Sequence, residues 1–111
     1  ASHFKLDNLV GIIDRNKIQI DGFTEKIMAL EPYRSKWEAF GWQVREIDGH
    51  DMSEIVRTLQ DAPFKKGRPS LIIAETVKGK GVSFMESNPE WHGKPLKDEH
   101  ALIARRETAQ E

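Results

Sequence analysis

Asn16, the glycine-spaced lysines of Lys78-Gly79-Lys80-Gly81, and His92 within Trp91-His92-Gly93-Lys94-Pro95-Leu96 have the type and setting to do chemistry. Asn16 follows an apolar run, Leu9-Val10-Gly11-Ile12-Ile13, and the polar pair Asp14-Arg15. Its carbonyl oxygen suits a cation and its NH2 group donates hydrogen bonds. Lysine between glycines suits a diphosphate, because glycine lets backbone approach and the ammonium offsets charge. A neutral imidazole at His92 can hold or pass a proton. Each group also has an ordinary reading. Asparagine is common at strand ends, where it tolerates left-handed backbone and bonds to its own chain. A KGKG stretch in isolation is a solvated turn, and a lone loop histidine is a surface residue, although Trp91 beside His92 predicts a partly shielded ring. His50 and His100 read as ordinary, one in a turn and the other on a solvent-facing helix.

The elements that must position these groups follow from the apolar pattern. Residues 10–14, 43–47 and 70–76 read as strands, the last (SLIIAET) strongly buried. Residues 16–23 read as a loop in which Ile18 and Ile20 point to one side by period-two alternation. Residues 27–30 form a short helical turn, and Pro32 opens a helix over 33–40 with Tyr33, Trp37 and Phe40 at helical spacing, stopped by Gly41. Ser53 caps a helix whose buried stripe is Ile55, Val56 and Leu59 and which ends before Pro63. Residues 82–95 are a long loop without a period, and loops of that length are usually functional. A last helix spans 98–108, and residues 1–7 read as the tail of another. The expected fold class is α/β: a partial open parallel sheet of about three strands with crossover helices. In such sheets ligands sit beyond the C-terminal strand ends, where the Asn16, His50 and Lys78 segments all begin.

At 111 residues the chain is one domain at most, with an adequate core. Apolar residues make up 38% and charged residues 32%, a globular composition. Seventeen basic and 18 acidic residues give a net charge of -1, so nothing in the global electrostatics argues for nucleic acid or a membrane surface as a partner, and neither is expected. The absence of cysteine rules out disulfides and thiolate metal sites. No stretch has the length of a membrane span or the pattern of a signal peptide, so the expected location is cytoplasmic. The chain starts without methionine and enters its first strand within nine residues, as a piece cut from something longer would.

Asp7-Asn8-Leu9, with Asp14-Arg15-Asn16-Lys17-Ile18-Gln19-Ile20-Asp21-Gly22, resembles the second half of the thiamine-diphosphate motif of transketolases. Trp37-Glu38-Ala39-Phe40-Gly41-Trp42 and Asp48-Gly49-His50-Asp51 are similar to the segment that follows it in that family. Lys78-Gly79-Lys80-Gly81 and the Trp91–Leu96 segment are similar to its later cofactor loop. The likeness covers nearly the whole chain, in order.

The resemblance implies a role for each position. Asn16 would give its side-chain oxygen, and Ile18 its backbone carbonyl, to a Mg²⁺ or Ca²⁺ ion, a hard cation suited to oxygen ligands. Ile20 would lie near the cofactor's thiazolium ring and Lys78 near its diphosphate. His92 would hydrogen-bond where cofactor and sugar substrate meet, as the catalytic group, with Lys94 beside it on the substrate. The implied reaction moves a two-carbon ketol unit between sugar phosphates, as in the pentose phosphate pathway, with thiamine diphosphate as electron sink. In that family the Gly-Asp-Gly whose Asp is a second metal ligand lies upstream, and this sequence contains none. The expectation is therefore part of the diphosphate-binding domain over residues 1–111, inactive alone. Its partners would be the upstream Gly-Asp-Gly region, the pyrimidine-binding domain with its activating glutamate, and the C-terminal domain, in a dimeric or heterotetrameric assembly. Residues 9–13 and 71–74 are apolar enough to be buried on both faces, so either other chains cover the bare edges of the sheet or the fragment is poorly stable. An alternative is a non-catalytic module kept for assembly or for binding a phosphorylated ligand. A third reading is a related thiamine-diphosphate enzyme with another acceptor, over which the Trp-His-Gly-Lys-Pro wording favours transketolase.

Overall fold

Ser70, Leu71, Ile72 and Ile73 are buried at every position at the centre of a parallel sheet in the computed structural model, which describes residues 1–109. In chain order the elements are β1 (Val10–Arg15), β2 (Ile18–Gln19), β3 (Gly22–Phe23), α1 (Thr24–Ile27), α2 (Tyr33–Ala39), β4 (Gln43–Asp48), α3 (Met52–Gln60), β5 (Ser70–Glu75), a 3₁₀ turn (Pro89–Trp91) and α4 (Asp98–Thr108). They form two compact units: Ala1–Arg15 with Leu30–Thr76, and Asn16–Ala29 with the chain from Val77 onward.

The first unit is the sheet. Its order is β1-β5-β4, all parallel, with Val10 and Gln43 both opposite Ser70 and Arg15 and Asp48 both opposite Glu75. This is the expected α/β arrangement, with helices in the connections between strands. Val44, Leu71 and Ile73 form the core, covered by Ile13, Tyr33, Trp37 and Trp42. Trp37 meets Tyr33 and Trp42 edge-on, at centroid distances of 6.4 and 5.4 Å, the preferred aromatic geometry. Gly49 follows β4, and its N–H donates to the Glu75 carbonyl at 2.8 Å, while a Cβ there would lie 3.0 Å from that same oxygen.

Several expected details differ. β1 is an edge strand whose alternation leaves Ile12, in a run apolar enough for burial on both faces, 61% exposed in this chain. The cap of α3 is Asp51, whose carboxylate accepts the Glu54 N–H at 3.0 Å, and not Ser53. The inward face of α3 carries buried Thr58 and half-buried Ile55, whereas Met52, Val56 and Leu59 form an exposed apolar stripe. Apolar spacing marks an amphipathic face but not which side the protein covers. Phe40, expected in the apolar face of α2, is exposed beyond its last turn. The first residues are turns and not a helix tail, held by Asp7 Oδ2 accepting the Gly67 N–H at 2.9 Å. The expected helical turn at 27–30 falls earlier, at Thr24–Ile27.

Arg15 ends β1 with its side chain buried. It donates to Glu31 Oε1 at 2.8 Å and lies 5.5 Å from the Tyr33 ring centroid. The hydrogen bond from Arg15, then that from the Tyr33 N–H, holds the Glu31 carboxyl below its ordinary value of 4.5. A carboxyl depressed in the folded state contributes stability that is present above its unfolded pKa and lost as pH falls through the folded one. Urea midpoints measured from pH 7 downward should therefore fall less steeply in the acid range for Glu31→Gln than for the native chain. The difference is small, because the Glu31 side chain is 57% exposed. Identical pH profiles would remove Glu31 from the acid response.

The second unit is built on the β2–β3 hairpin, with α1, α4 and the turns between 77 and 97. The long loop resolves into consecutive turns and the 3₁₀ turn, which packs against β3. Among the described residues no helix is long and apolar enough to cross a membrane.

Candidate functional site

All six candidate positions (Asn16, Ile18, Ile20, Lys78, His92 and Lys94) fall in the second unit. Asn16 is the first residue after β1, and Lys17 takes a left-handed φ of 64°, which turns the chain into the hairpin. Asn16 Oδ1 accepts the Ile18 N–H at 3.0 Å. The Lys17 carbonyl accepts the Thr24 N–H at 2.9 Å, and Ile18 faces Phe23 in the ladder. Bonded and open pairs alternate in an antiparallel ladder, so Ile18–Phe23 is an open pair and the Ile18 N–H and C=O both point outward. That N–H meets Asn16 Oδ1, which places the Ile18 carbonyl and the Asn16 amide oxygen on one outer edge of the hairpin. An amide oxygen has two lone pairs, and the Ile18 bond uses one.

Ile20 departs from the expected alternation. It begins the two-residue loop between β2 and β3 with a φ of 51° and is 56% exposed. A β-branched residue in left-handed backbone is strained by roughly 1–2 kcal/mol, at a loop position where glycine is the usual choice. The hairpin thus presents an apolar side chain at its tip at the expense of its own stability.

Lys78-Gly79-Lys80-Gly81 forms tight turns in which Gly79 also answers a need within the chain. Gly79 has φ +74°, and a Cβ there would lie 2.6 Å from Met85 Cβ and 2.7 Å from the Met85 carbonyl oxygen. The Gly81 N–H donates to Glu86 Oε1 at 3.0 Å. Gly79 therefore allows the loop to close on Met85. Lys78 is half-buried, with its carbonyl accepting the Ser87 N–H at 2.9 Å.

Trp91 is the hub of the remaining segment. Its ring lies 4.9 Å from Phe84 and 5.0 Å from His100, and Lys94 Nζ sits 4.7 Å from its centroid. His92 ends the 3₁₀ turn with its N–H donating to the Pro89 carbonyl at 3.0 Å, and its side chain is exposed. The indole thus shields His100 and not the adjacent His92. His100 is correspondingly not the solvent-facing residue that the helical pattern predicts. Periodicity says nothing about which loop folds over a helix. His50 is exposed in its turn, as expected.

The donor set on the hairpin edge fits a hard divalent cation: neutral oxygens from one amide and one carbonyl, and no thiolate or imidazole. It is an incomplete shell. Among the described residues no three His, Cys, Asp or Glu side chains are grouped to hold a metal. A diphosphate and further oxygens would have to complete it. Two surface depressions lie elsewhere, one lined by Met52, Ser53, Val56, Arg57 and Gln60 and one by Tyr33, Lys36, Trp37 and Phe40, and neither contains a candidate residue.

The sequence profile described as "Transketolase, thiamine diphosphate binding domain" matches residues 1–110. The chain belongs to that transketolase family. It is 48% identical, over 95% of its length, to one of the subunits of the apulose-4-phosphate transketolase of Phocaeicola vulgatus. It is 47% identical, over 86% of its length, to the 6-deoxy-6-sulfo-D-fructose transketolase subunit SqwG of a Clostridium species. The match spans 38% of the first relative and 34% of the second. Among solved structures, the transketolase of Campylobacter jejuni superposes with a TM-score of 0.87 at 37% identity, over 98% of this chain and 17% of that one. For this transketolase domain the sequence reading missed the Trp91–His100 contact and the strain at Ile20. A β-branched residue directly before Asp21-Gly22 was the one available signal for the second.

Proposed function

We propose that the chain is the part of a transketolase's diphosphate-binding domain that holds the metal and diphosphate end of thiamine diphosphate. In this reading it acts in transfer of a two-carbon ketol unit between sugar phosphates. The observation that carries the reading is the shared hairpin edge of Asn16 Oδ1 and the Ile18 carbonyl. Those two oxygens would hold Mg²⁺ or Ca²⁺. Lys78 would offset diphosphate charge, and the exposed, strained Ile20 would lie against the cofactor's ring. His92 would hydrogen-bond at the sugar end, where its imidazole can hold or move a proton. Lys94 would leave the Trp91 ring for the substrate, a cation–π contact weak enough at an exposed site to exchange. When bound, thiamine diphosphate supplies the electron sink for the two-carbon unit.

The partners in this reading are the upstream Gly-Asp-Gly region, the pyrimidine-binding domain and the C-terminal domain, in a dimeric or heterotetrameric assembly in the cytoplasm. The naming of two relatives as transketolase subunits supports a divided enzyme. Pentose-phosphate-type sugars are the proposed substrates. Calorimetric titration with thiamine diphosphate and Mg²⁺ tests the reading. No measurable affinity is expected for the chain alone, and binding together with ketol transfer is expected once the partner segments are added. Partner mixtures that assemble but bind no cofactor would sink it.

Ile20→Gly gives a second, two-sided expectation. Relief of left-handed strain should raise stability by about 1 kcal/mol, while loss of the apolar side chain weakens cofactor binding in the assembly. A variant that gains stability and binds cofactor unchanged would show that Ile20 has no part in the site.

A further inference from the structure

His100 lies on α4 with its ring centroid 5.2 Å from Phe84 and 5.0 Å from Trp91, at interplanar angles of 46° and 77°. Its Nδ1 is buried without a hydrogen-bond partner. A buried polar atom with no partner is unfavourable, so ring packing is what holds the imidazole there. Phe84 belongs to the loop after Lys78, and Trp91 closes the 3₁₀ turn immediately before His92. The same loop is also tied by side-chain hydrogen bonds. The Ser83 N–H and Oγ both donate to the Glu107 carboxylate at 2.8 and 2.6 Å, and Asn88 Nδ2 donates to the Phe84 carbonyl at 3.3 Å. Asn88 Oδ1 accepts the Glu90 N–H at 3.0 Å and so caps the turn. These bonds fix the start of the loop and the start of the turn. The end of the turn, where His92 is presented, is held to α4 through the Trp91–His100 contact.

We propose that His100 is a positioning residue, acting through Trp91 to set how the turn Pro89–Trp91 presents His92. The inference rests on the reading of His92 as a group of the cofactor site, and its test separates the two. Hydrogen exchange of the Trp91 and His92 amides is measured for the native chain, His100→Ala and His100→Phe, with the Ile72 amide of the sheet as reference. His100→Ala is expected to speed exchange at Trp91 and His92 on the order of fivefold and to leave Ile72 unchanged. His100→Phe is expected to restore protection, because the ring remains and the unpaired nitrogen is gone. In the complete assembly, His100→Ala should weaken thiamine diphosphate binding, read by calorimetry, and His100→Phe should recover it. Unchanged exchange in His100→Ala, or no recovery in His100→Phe, overturns the proposal whether or not the assembly is active. Altered exchange with unaltered cofactor affinity also overturns it, leaving a purely structural contact. If the native assembly itself binds no cofactor, the reading of the site fails and the exchange result alone decides the packing role of His100.

Discussion

Replacing Leu71 with alanine should destabilise the sheet unit by about 2–5 kcal/mol, the cost of removing buried methyl groups and leaving a cavity. Leu71 is 2% exposed on the central strand, within the cluster it forms with Val44 and Ile73. Its Cδ1 fills the space above Gly11 on the neighbouring strand, 3.0 Å from where a Cβ would be. β5 is the strand on which both pairings depend, so relaxation around a void there would disturb β1 and β4 together. Val56 is the control: helical spacing assigns it to the core, yet it is 52% exposed. Val56→Ala should stay within about 0.5 kcal/mol of the native chain, as surface changes usually do. Urea unfolding followed by circular dichroism separates the two through the midpoint at constant slope. A Leu71→Ala cost below that of Val56→Ala would contradict the burial that organises this fold.

The strands were legible because their signal is direct. Leu71-Ile72-Ile73 is a short apolar run bounded by Pro69 and the polar Glu75-Thr76, and it lies within one residue of where the pattern placed it. The face of α3 was not, because Met52, Ile55, Val56 and Leu59 satisfy helical spacing whichever side turns inward, and tertiary contact decides. Asn16 was readable as a type of atom at a strand end. Its partner, the Ile18 carbonyl, came only from the family resemblance, because it is a backbone atom whose outward direction follows from ladder alternation and not from its residue type. Gly79 of the KGKG loop has a packing reason that the sequence did not show. Met85, six residues after Gly79, occupies the space that a side chain would need. The same physics explains His100, whose surroundings come from Phe84 and Trp91 and not from its own helix.

Asn16→Ala carries the largest functional effect expected of this chain. In the native hairpin Oδ1 accepts the Ile18 N–H at 3.0 Å, and in the proposed site its second lone pair would bind the metal. Alanine removes both. Loss of the hydrogen bond alone costs about 1 kcal/mol and should appear in the metal-free chain as a slightly less stable second unit. Under the proposed reading, loss of the metal ligand is larger. Changes at groups that merely support ligands lower metal affinity 10–100-fold, so removal of a ligand should lower it at least on the order of 100-fold. Asn16→Asp separates the uses, because a carboxylate still accepts the Ile18 N–H and is itself a good ligand for a hard cation. Mg²⁺ titration of the partner-complemented assembly in the presence of thiamine diphosphate should therefore rank native and Asn16→Asp close together, with Asn16→Ala far weaker. If Asn16→Ala retains native Mg²⁺ affinity while showing only the small stability loss, the amide is a turn-forming group and the hairpin edge holds no metal.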